Sequence, residues 1–169
     1  MTIVNVVRRA EQAAALKAIG AEHVVVTADA DWDAQLAALV KSLKVSLAFE
    51  CVAGGMSGKI VSIMPKRSLT YIYGRLSGGT VDGIVATDMI YFQKRVQGWL
   101  LTEWIKAGNA LSVWLRVRAA TRLVTNGLGA GGWAESRFQD VTIDTVFDEF
   151  LKQHTDGVAT DAKLRIRFV

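Results

Sequence analysis

The sequence has 169 residues, of which 51% are hydrophobic and 21% charged, and its formal net charge is +4. These values predict about one globular domain with a sizeable core. The sequence also argues against several classes of protein. The scattered Lys and Arg residues lack interleaved aromatics, which disfavours a nucleic-acid groove. The sequence has no run of about 18 apolar residues, so no membrane span is expected. The single cysteine excludes an internal disulfide framework.

The first half of the chain alternates β-rich runs with helix-forming segments. Strands are predicted at residues 3–7, 23–26, 45–49 and 69–73. Helices are predicted at residues 10–19, 32–43 and 57–64, with Gly20 as a C-cap residue and Asp29 or Asp31 as an N-cap. This alternation is typical of βαβ units with a mainly parallel sheet and helices on both faces.

The second half has a less regular pattern. Its predicted elements are a helical turn at 88–91, a strand at 95–101, a long helix at 102–124 with a weak point at Gly108-Asn109, a glycine-rich connection at 126–132, a strand at 141–143, a helix at 143–151 and a strand at 163–169. The fold class is therefore α/β. The predicted domains are 1–126 and a C-terminal helix-strand extension, 127–169, packed on it.

The stretch Thr70–Gly79 is the clearest candidate ligand site. An apolar run ends abruptly at Gly74, and a polar, glycine-rich segment follows. This pattern predicts a buried strand whose carboxyl end opens into a loop. In open α/β sheets ligands bind at such strand ends.

Five segments in order carry a family resemblance. They are Val-Val-Arg-Arg at 6–9, Ala-Ile-Gly-Ala-Glu-His-Val-Val at 18–25, Leu-Ala-Phe-Glu-Cys-Val-Ala-Gly-Gly at 47–55, Tyr-Ile-Tyr-Gly at 71–74 and Gly-Trp-Leu-Leu at 98–101. Their order and spacing resemble the cofactor-binding half of the medium-chain dehydrogenases/reductases, in the zinc-free branch of quinone oxidoreductases and 2-enoyl thioester reductases. The segment 91–104 is especially similar to the reductases.

The resemblance implies an incomplete Rossmann-like fold and an NADP site. Arg8 and Arg9 stand where the family contacts the adenosine ribose, and arginine there suits a 2′-phosphate. The other cofactor-binding residues that the resemblance implies, along the ribose and the nicotinamide, are Cys51, Val52, Tyr73, Gly74, Trp99 and Leu100. No catalytic residue and no metal ligand is assigned.

One part of the family pattern is not found. The family's sheet starts with a strand and a Gly-rich turn that holds the pyrophosphate, and this chain is expected to begin after that point. The glycines at 54–58 and 127–131 are in the wrong place for this turn. The strands at 3–7 and 45–49 are then expected to flank a gap, which a rearranged sheet, a second copy or a partner chain would fill.

Other residues allow more than one interpretation. Cys51 is a core residue or a reactive thiol, and Tyr73 packs beside a nicotinamide or donates a proton. Glu50 binds a ribose hydroxyl or faces solvent. His23 and His154 lack metal-ligand spacing. Trp99, Trp104 and Trp114 are expected to be core or interface residues, and the strand at 95–101 to form a homodimer edge.

Three functions remain open, and the third is a small enzyme with a new site at the crevice beside these strand ends. In the first, the chain is part of an NADPH-dependent reductase that transfers hydride to an enoyl thioester or a quinone once completed. In the second, it is a non-catalytic relative that acts as a dimeric binding module or a structural subunit. The single cysteine favours a reducing compartment, the cytoplasm or the mitochondrial matrix, and no signal peptide is expected.

Overall fold

The computed structural model describes residues 2–128, 138–155 and 163–168. The strands are β1 (Val4–Val7), β2 (His23–Val26), β3 (Leu47–Glu50), β4 (Leu69–Ile72), β5 (Arg95–Gly98), β6 (Phe138–Val141) and β7 (Lys163–Ile166). The helices are α1 (Ala10–Ala18), α2 (Trp32–Ser42), α3 (Gly55–Ile63), α4 (Ala86–Ile90), α5 (Leu101–Lys106), α6 (Ala110–Gly127) and α7 (Val146–Thr155). Among the described residues, no helix has the length and apolar character needed to cross a bilayer.

The chain divides into two compact units, Met1–Gly108 and Asn109–Val169. The predicted domains, 1–126 and 127–169, are a different division and stay a prediction. Part of the predicted glycine-rich connection, 129–132, lies outside the described residues, and its first residues instead belong to α6, which extends to Gly127.

The strands of the first unit form two separate parallel sheets. β1 pairs with β2, and β3, β4 and β5 pair in that order. No described strand joins β1 to β3. The prediction of an α/β fold with parallel strands and a gap between these two strands is therefore confirmed.

One apolar core extends beneath both sheets. Its buried members come from β2, α2 and the end of α3, and they are Val25, Trp32, Leu36, Val40 and Met64. Val4 of β1 and Ala48 of β3 pack against this cluster. The spacing of Trp32, Leu36 and Val40 puts them on one face of α2, which explains why this helix forms the centre of the core.

The predicted single helix at 102–124 is wrong, because the chain forms two helices there. α5 ends at Lys106, and Gly108 has φ +94°, a left-handed conformation that glycine adopts without strain. Asn109 is the N-cap of α6, and its side chain accepts a hydrogen bond from the Ser112 N–H at 2.9 Å. The weak point at Gly108-Asn109 is therefore a helix boundary.

In the second unit, β6 and β7 form a short parallel pair. Asp140 lies at their centre, with Arg165 Nε at 2.6 Å and Arg167 Nε at 2.7 Å from its carboxylate oxygens. The hydrogen bond from Arg165 and the nearby positive charges hold the pKa of Asp140 below its ordinary value. β6 ends at Val141, whereas the sequence predicts a strand that starts there.

Candidate functional site

The carboxyl ends of three strands lie level in the larger sheet. Parallel pairing aligns Glu50 of β3, Ile72 of β4 and Gly98 of β5. Six predicted site residues follow these strand ends directly, and they are Cys51, Val52, Tyr73, Gly74, Trp99 and Leu100. The structure therefore brings these six together along one sheet edge, as expected for a ligand site in a parallel sheet.

Glu50 fixes the turn that follows β3. Its side chain is only 5% exposed. One carboxylate oxygen accepts hydrogen bonds from the N–H groups of Val52, at 2.5 Å, and Ala53, at 2.9 Å. The other oxygen accepts one from Ser57 Oγ at 2.7 Å. Glu50 therefore holds the backbone in place, and neither of the two predicted roles, ribose binding or facing solvent, describes this arrangement.

This turn is also bonded to the loop that follows β4. The Leu76 N–H donates to the Cys51 carbonyl at 2.9 Å, and the Ser77 N–H donates to the Val52 carbonyl at 2.8 Å. Further along, the Gly54 N–H donates to the Thr80 carbonyl at 2.6 Å. These are main-chain bonds, so the two loops form one rigid wall at the strand ends.

The loop after residue 80 packs tightly on α3. A Cβ atom added to Gly58 would lie 2.4 Å from the Gly83 carbonyl oxygen and 2.6 Å from that of Asp82. Only a residue without a side chain allows this approach. The Gly58 position therefore requires glycine to let the wall rest on the first turn of α3.

Tyr73 and Cys51 interact at the centre of the wall. The hydrogen bond to the Cys51 side chain is the main cause that raises the pKa of Tyr73 above its ordinary value, followed by partial burial and the nearby charges of Cys51 and Glu50. The Tyr73 ring is 50% exposed and meets Phe49 edge to face at 6.4 Å. A raised pKa keeps the phenol protonated at neutral pH, so it can donate a hydrogen bond but is a poor acid.

Gly74 comes close to Cys51. A Cβ atom on Gly74 would lie 3.0 Å from the Cys51 carbonyl oxygen and 3.1 Å from its Cβ atom. This contact with Cys51 is enough to explain why position 74 is a glycine, and it involves no ligand. The predicted close approach of Gly74 to a ligand stays a prediction.

Trp99 and Leu100 follow the end of β5, next to the end of β4. The Trp99 N–H donates to the Ile72 carbonyl at 2.9 Å, so Trp99 stays beside the end of β4. Its ring lies 6.2 Å from that of Trp104 in α5. Leu100 is 60% exposed. An apolar surface therefore borders the strand ends.

Arg8 and Arg9 follow β1, in the smaller sheet. The N–H groups of both residues donate to Gln12 Oε1 at 3.1 Å, and Arg9 is the N-cap of α1. The backbone that carries the two guanidinium groups is thus fixed between a strand and a helix. This placement at a strand end agrees with the position that the family resemblance implies.

Other predicted or possible sites lie elsewhere. His23 is in β2, with Nε2 at 3.9 Å from a Glu22 carboxylate oxygen, whereas the side chain of His154 lies outside the described residues. Among the residues that the structure describes, no three His, Cys, Asp or Glu side chains group as a metal site. A cavity of about 340 Å³ lies at the amino end of β3, near Val45 and Ile63, away from the strand ends.

The sequence analysis did not predict one buried ion pair. Lys94 Nζ lies 2.7 Å from Asp88 Oδ1, and their side chains are 6% and 11% exposed. The same amine donates to the Val61 carbonyl at 3.0 Å and to the Ser62 carbonyl at 2.9 Å. Lys94 therefore ties α4 and the start of β5 to the last turn of α3. A lysine six residues after an acid carries no signal for this role.

Comparisons with known proteins identify the family. A profile described as zinc-binding dehydrogenase matches residues 1–114. Among solved structures, the chain is similar to a protein described as an NADPH:quinone reductase from Mesorhizobium loti, with 27% identity and a TM-score of 0.73 over 98% of this chain and 45% of that one. A search of curated proteins gave no match.

Two further structures share the fold at lower identity. One is a mitochondrial 2-enoyl thioester reductase heterodimer from Candida tropicalis, with 21% identity and a TM-score of 0.62 over 98% of this chain and 46% of that chain. The other is described as an NADPH:quinone reductase from Bacillus thuringiensis, with 15% identity and a TM-score of 0.68 over 98% of this chain and 48% of that chain. The chain thus spans less than half the length of each of these three proteins. It belongs to the zinc-binding dehydrogenase family of the medium-chain dehydrogenase/reductase superfamily, and it carries part of the Rossmann-like cofactor-binding fold.

Proposed function

We propose that this chain is the NADP-binding portion of a reductase that transfers hydride to a polarised double bond, in an enoyl thioester or a quinone. The family match over residues 1–114 carries the proposal. It is supported by the likeness to a protein described as an NADPH:quinone reductase, at 27% identity. Because the chain spans 45% of that protein, the activity belongs to a completed molecule.

The residues at the strand ends fit two parts of the cofactor. Arg8 and Arg9 supply two positive charges with planar donor groups, which suit the 2′-phosphate of NADP. Gln12 accepts hydrogen bonds from the backbone N–H groups of both residues, so the two arginine side chains project from a fixed part of the backbone. The pyrophosphate has no comparable fit, since no described strand lies between β1 and β3 to supply a Gly-rich turn there.

The wall after β3 and β4, together with Trp99 and Leu100 after β5, would position the nicotinamide. When bound, the cofactor supplies the hydride. Cys51, Val52 and Gly74 present a wall held by main-chain hydrogen bonds. Tyr73 offers a protonated hydroxyl beside it, and Leu100 an apolar surface that excludes water. The function of these residues is to orient the ring.

Titration calorimetry tests the NADP assignment. NADPH is titrated into the chain, into the Arg8→Ala/Arg9→Ala variant and into a Lys17→Ala/Lys41→Ala control that loses the same charge. The arginine variant should weaken NADPH binding by about tenfold or more, since charge-assisted hydrogen bonds are strong, and change NADH binding much less. Equal losses for both cofactors, or an equal loss in the lysine control, would refute the 2′-phosphate role.

The second function, a non-catalytic binding or structural module, is favoured by the absence of a pyrophosphate turn among the described strands. It predicts no heat with NADPH at millimolar concentration, even after the sheet gap is filled. This outcome would reject the reductase function for the chain.

We also propose that the chain forms a homo-oligomer through β5. This strand is the outer edge of its sheet, and most of its residues are exposed. An unpaired edge is a ready surface for pairing with a second copy. A monomeric mass by light scattering at micromolar concentration would contradict this proposal. The reducing compartment remains a prediction from the single cysteine.

A further inference from the structure

We infer that the cavity at the amino end of β3 binds the anion of a medium-chain fatty acid. The cavity lies where α2 and α3 end, between residues such as Lys44 and Pro65. Glu50 and the wall are at the other end of β3. This site is therefore separate from the proposed cofactor site and goes beyond the proposed function.

The floor of the cavity is apolar and belongs to the core. Val40 of α2 is 6% exposed and is a member of the core cluster, and Val45 and Ile63 pack against that cluster. The volume of about 340 Å³ is at the small end of the range for ligand pockets. A hydrocarbon chain of moderate length would fill it and remove this apolar surface from water.

Two main-chain groups beside the cavity are already paired. The Val45 N–H donates to the Val40 carbonyl, and the Ser46 carbonyl accepts from the Leu69 N–H, both at 3.0 Å. A peptide that binds as an added strand would need such groups to be free. A ligand recognised by an apolar body and a charge does not need them.

Lys41 and Lys44 supply the charge. Both residues line the cavity, and both are exposed. In the part of the chain that the structure describes, neither amine pairs with an acid, and no acidic residue lines this cavity. Lysine stems lie along apolar surface while their ammonium groups stay in water. Two cations at the mouth of an apolar cavity complement one carboxylate with a hydrocarbon tail.

The turn after α2 holds Lys44 in an unusual conformation. The Lys44 N–H donates to the Lys41 carbonyl at 3.3 Å, and the Val45 N–H reaches back to Val40, so the helix ends in a Schellman motif. Lys44 has φ +53°, in the left-handed region that favours glycine. The lysine therefore occupies this position at a cost in conformational energy.

Helix α1 ends in the same motif, but with a glycine. The Gly20 N–H donates to the Lys17 carbonyl and the Ala21 N–H to the Leu16 carbonyl, both at 3.0 Å, and Gly20 has φ +94°. Glycine adopts this conformation without strain. Backbone geometry alone would favour glycine at position 44 as well, and the lysine instead gives the cavity a positive charge.

An NMR titration of the 169-residue chain with sodium octanoate, below its micelle concentration, tests the site. The amide signals of Ala37, Lys41, Val45 and Ile63 should shift and saturate. Octanoate should bind at least about tenfold more tightly than butyrate, because each buried methylene contributes about fourfold. Octanol lacks the charge and should bind about fivefold more weakly than octanoate. Inorganic phosphate lacks the tail and should give no saturable shift.

Two matched lysine pairs test the charge. Lys41→Gln/Lys44→Gln should weaken octanoate binding about fivefold, which is the effect expected for exposed ion pairs. Lys17→Gln/Lys106→Gln removes the same charge from the last turns of α1 and α5 and should leave the affinity unchanged.

Two neighbouring alanines of α2 test the apolar part. Ala37 and Ala38 are both exposed, and only Ala37 lines the cavity. Ala37→Phe should fill the cavity and abolish the octanoate shifts. Ala38→Phe adds the same ring beside the cavity and should leave the binding intact.

Lys44→Gly separates ligand binding from a purely structural role. It should weaken octanoate binding about twofold, while urea unfolding shows an equal or higher stability, because glycine removes the strain. A lysine that only stabilises the end of α2 would behave in the opposite way, with a lower stability and an unchanged affinity in the glycine variant.

Four results would overturn the inference. They are the absence of a saturable shift with octanoate, an equal affinity for octanol, an equal loss in the Lys17 and Lys106 control, and unchanged binding in Ala37→Phe. The titration contains no cofactor, so a failure of NADPH binding leaves its result unchanged.

Discussion

Glu50 Oε2 accepts a hydrogen bond from Ser57 Oγ at 2.7 Å, and both side chains are buried. The other oxygen holds two backbone N–H groups. Glu50→Ala should lower the free energy of unfolding by about 2–4 kcal/mol, because three donors, two of them in buried hydrogen bonds, lose their acceptor. Ser57→Ala should cost about 1–2 kcal/mol, because only one bond is lost. Urea denaturation measures both. A smaller loss for Glu50→Ala than for Ser57→Ala would contradict this arrangement.

Gly58 and Gly55 provide a matched pair within α3. Gly58→Ala should lower the free energy of unfolding by about 1–3 kcal/mol, because its Cβ would overlap backbone atoms of Asp82 and Gly83. Gly55→Ala should be neutral or stabilising, because nothing lies within 4 Å of its Cβ position. Thermal or urea unfolding measures the stability of each variant relative to the unmodified chain. Equal stabilities would show that the loop moves away from α3 without cost.

The buried pair of Lys94 and Asp88 should be sensitive to the loss of one partner. Lys94→Met should lower the free energy of unfolding by about 3–5 kcal/mol, because it leaves a buried carboxylate unpaired. Adding Asp88→Asn should recover part of this loss in a double-mutant cycle. Lys152→Met is the control, since its pair with Glu149 is more exposed and should contribute at most about 1 kcal/mol. Additive losses would show that the two groups are not coupled.

The contact between Cys51 and Tyr73 predicts an alkaline effect. The folded-state pKa of Tyr73 lies above its ordinary value of 10.0. The corresponding stability is therefore fully present below pH 10.0 and is lost as the pH rises through the folded-state pKa. Cys51→Ala removes the main cause and should lower the pKa of Tyr73. Carbon NMR of ring-labelled tyrosine measures it, with Tyr73→Phe to assign the signal. An unchanged pKa in Cys51→Ala would contradict the hydrogen bond.

Local patterns in the sequence predicted the elements of the first unit well. The apolar, β-branched runs at 23–26 and 69–73 match β2 and β4 closely, because such residues fit a buried parallel sheet. The helix at 32–43 matches α2, because its apolar residues repeat at helical spacing. The resemblance also placed the gap between β1 and β3 correctly.

Features that depend on contacts between distant residues were not predictable. Nothing near Lys94 in the sequence shows that it reaches the carbonyls of Val61 and Ser62. Glu50 looked like a strand-end acid, although a serine seven residues later was a weak signal of its partner. The helix at 102–124 was overextended because helix propensity outweighed a glycine and an N-cap residue in the prediction.

The bonds that join the wall are made by the main chain. The N–H of Leu76 and the carbonyl of Cys51 pair whatever side chains these residues carry, and the Leu76 side chain is almost fully exposed. Evolution can therefore exchange the side chains on this surface without dismantling the frame that displays them. Single substitutions can in this way change the chemistry of this surface, while its backbone stays constant.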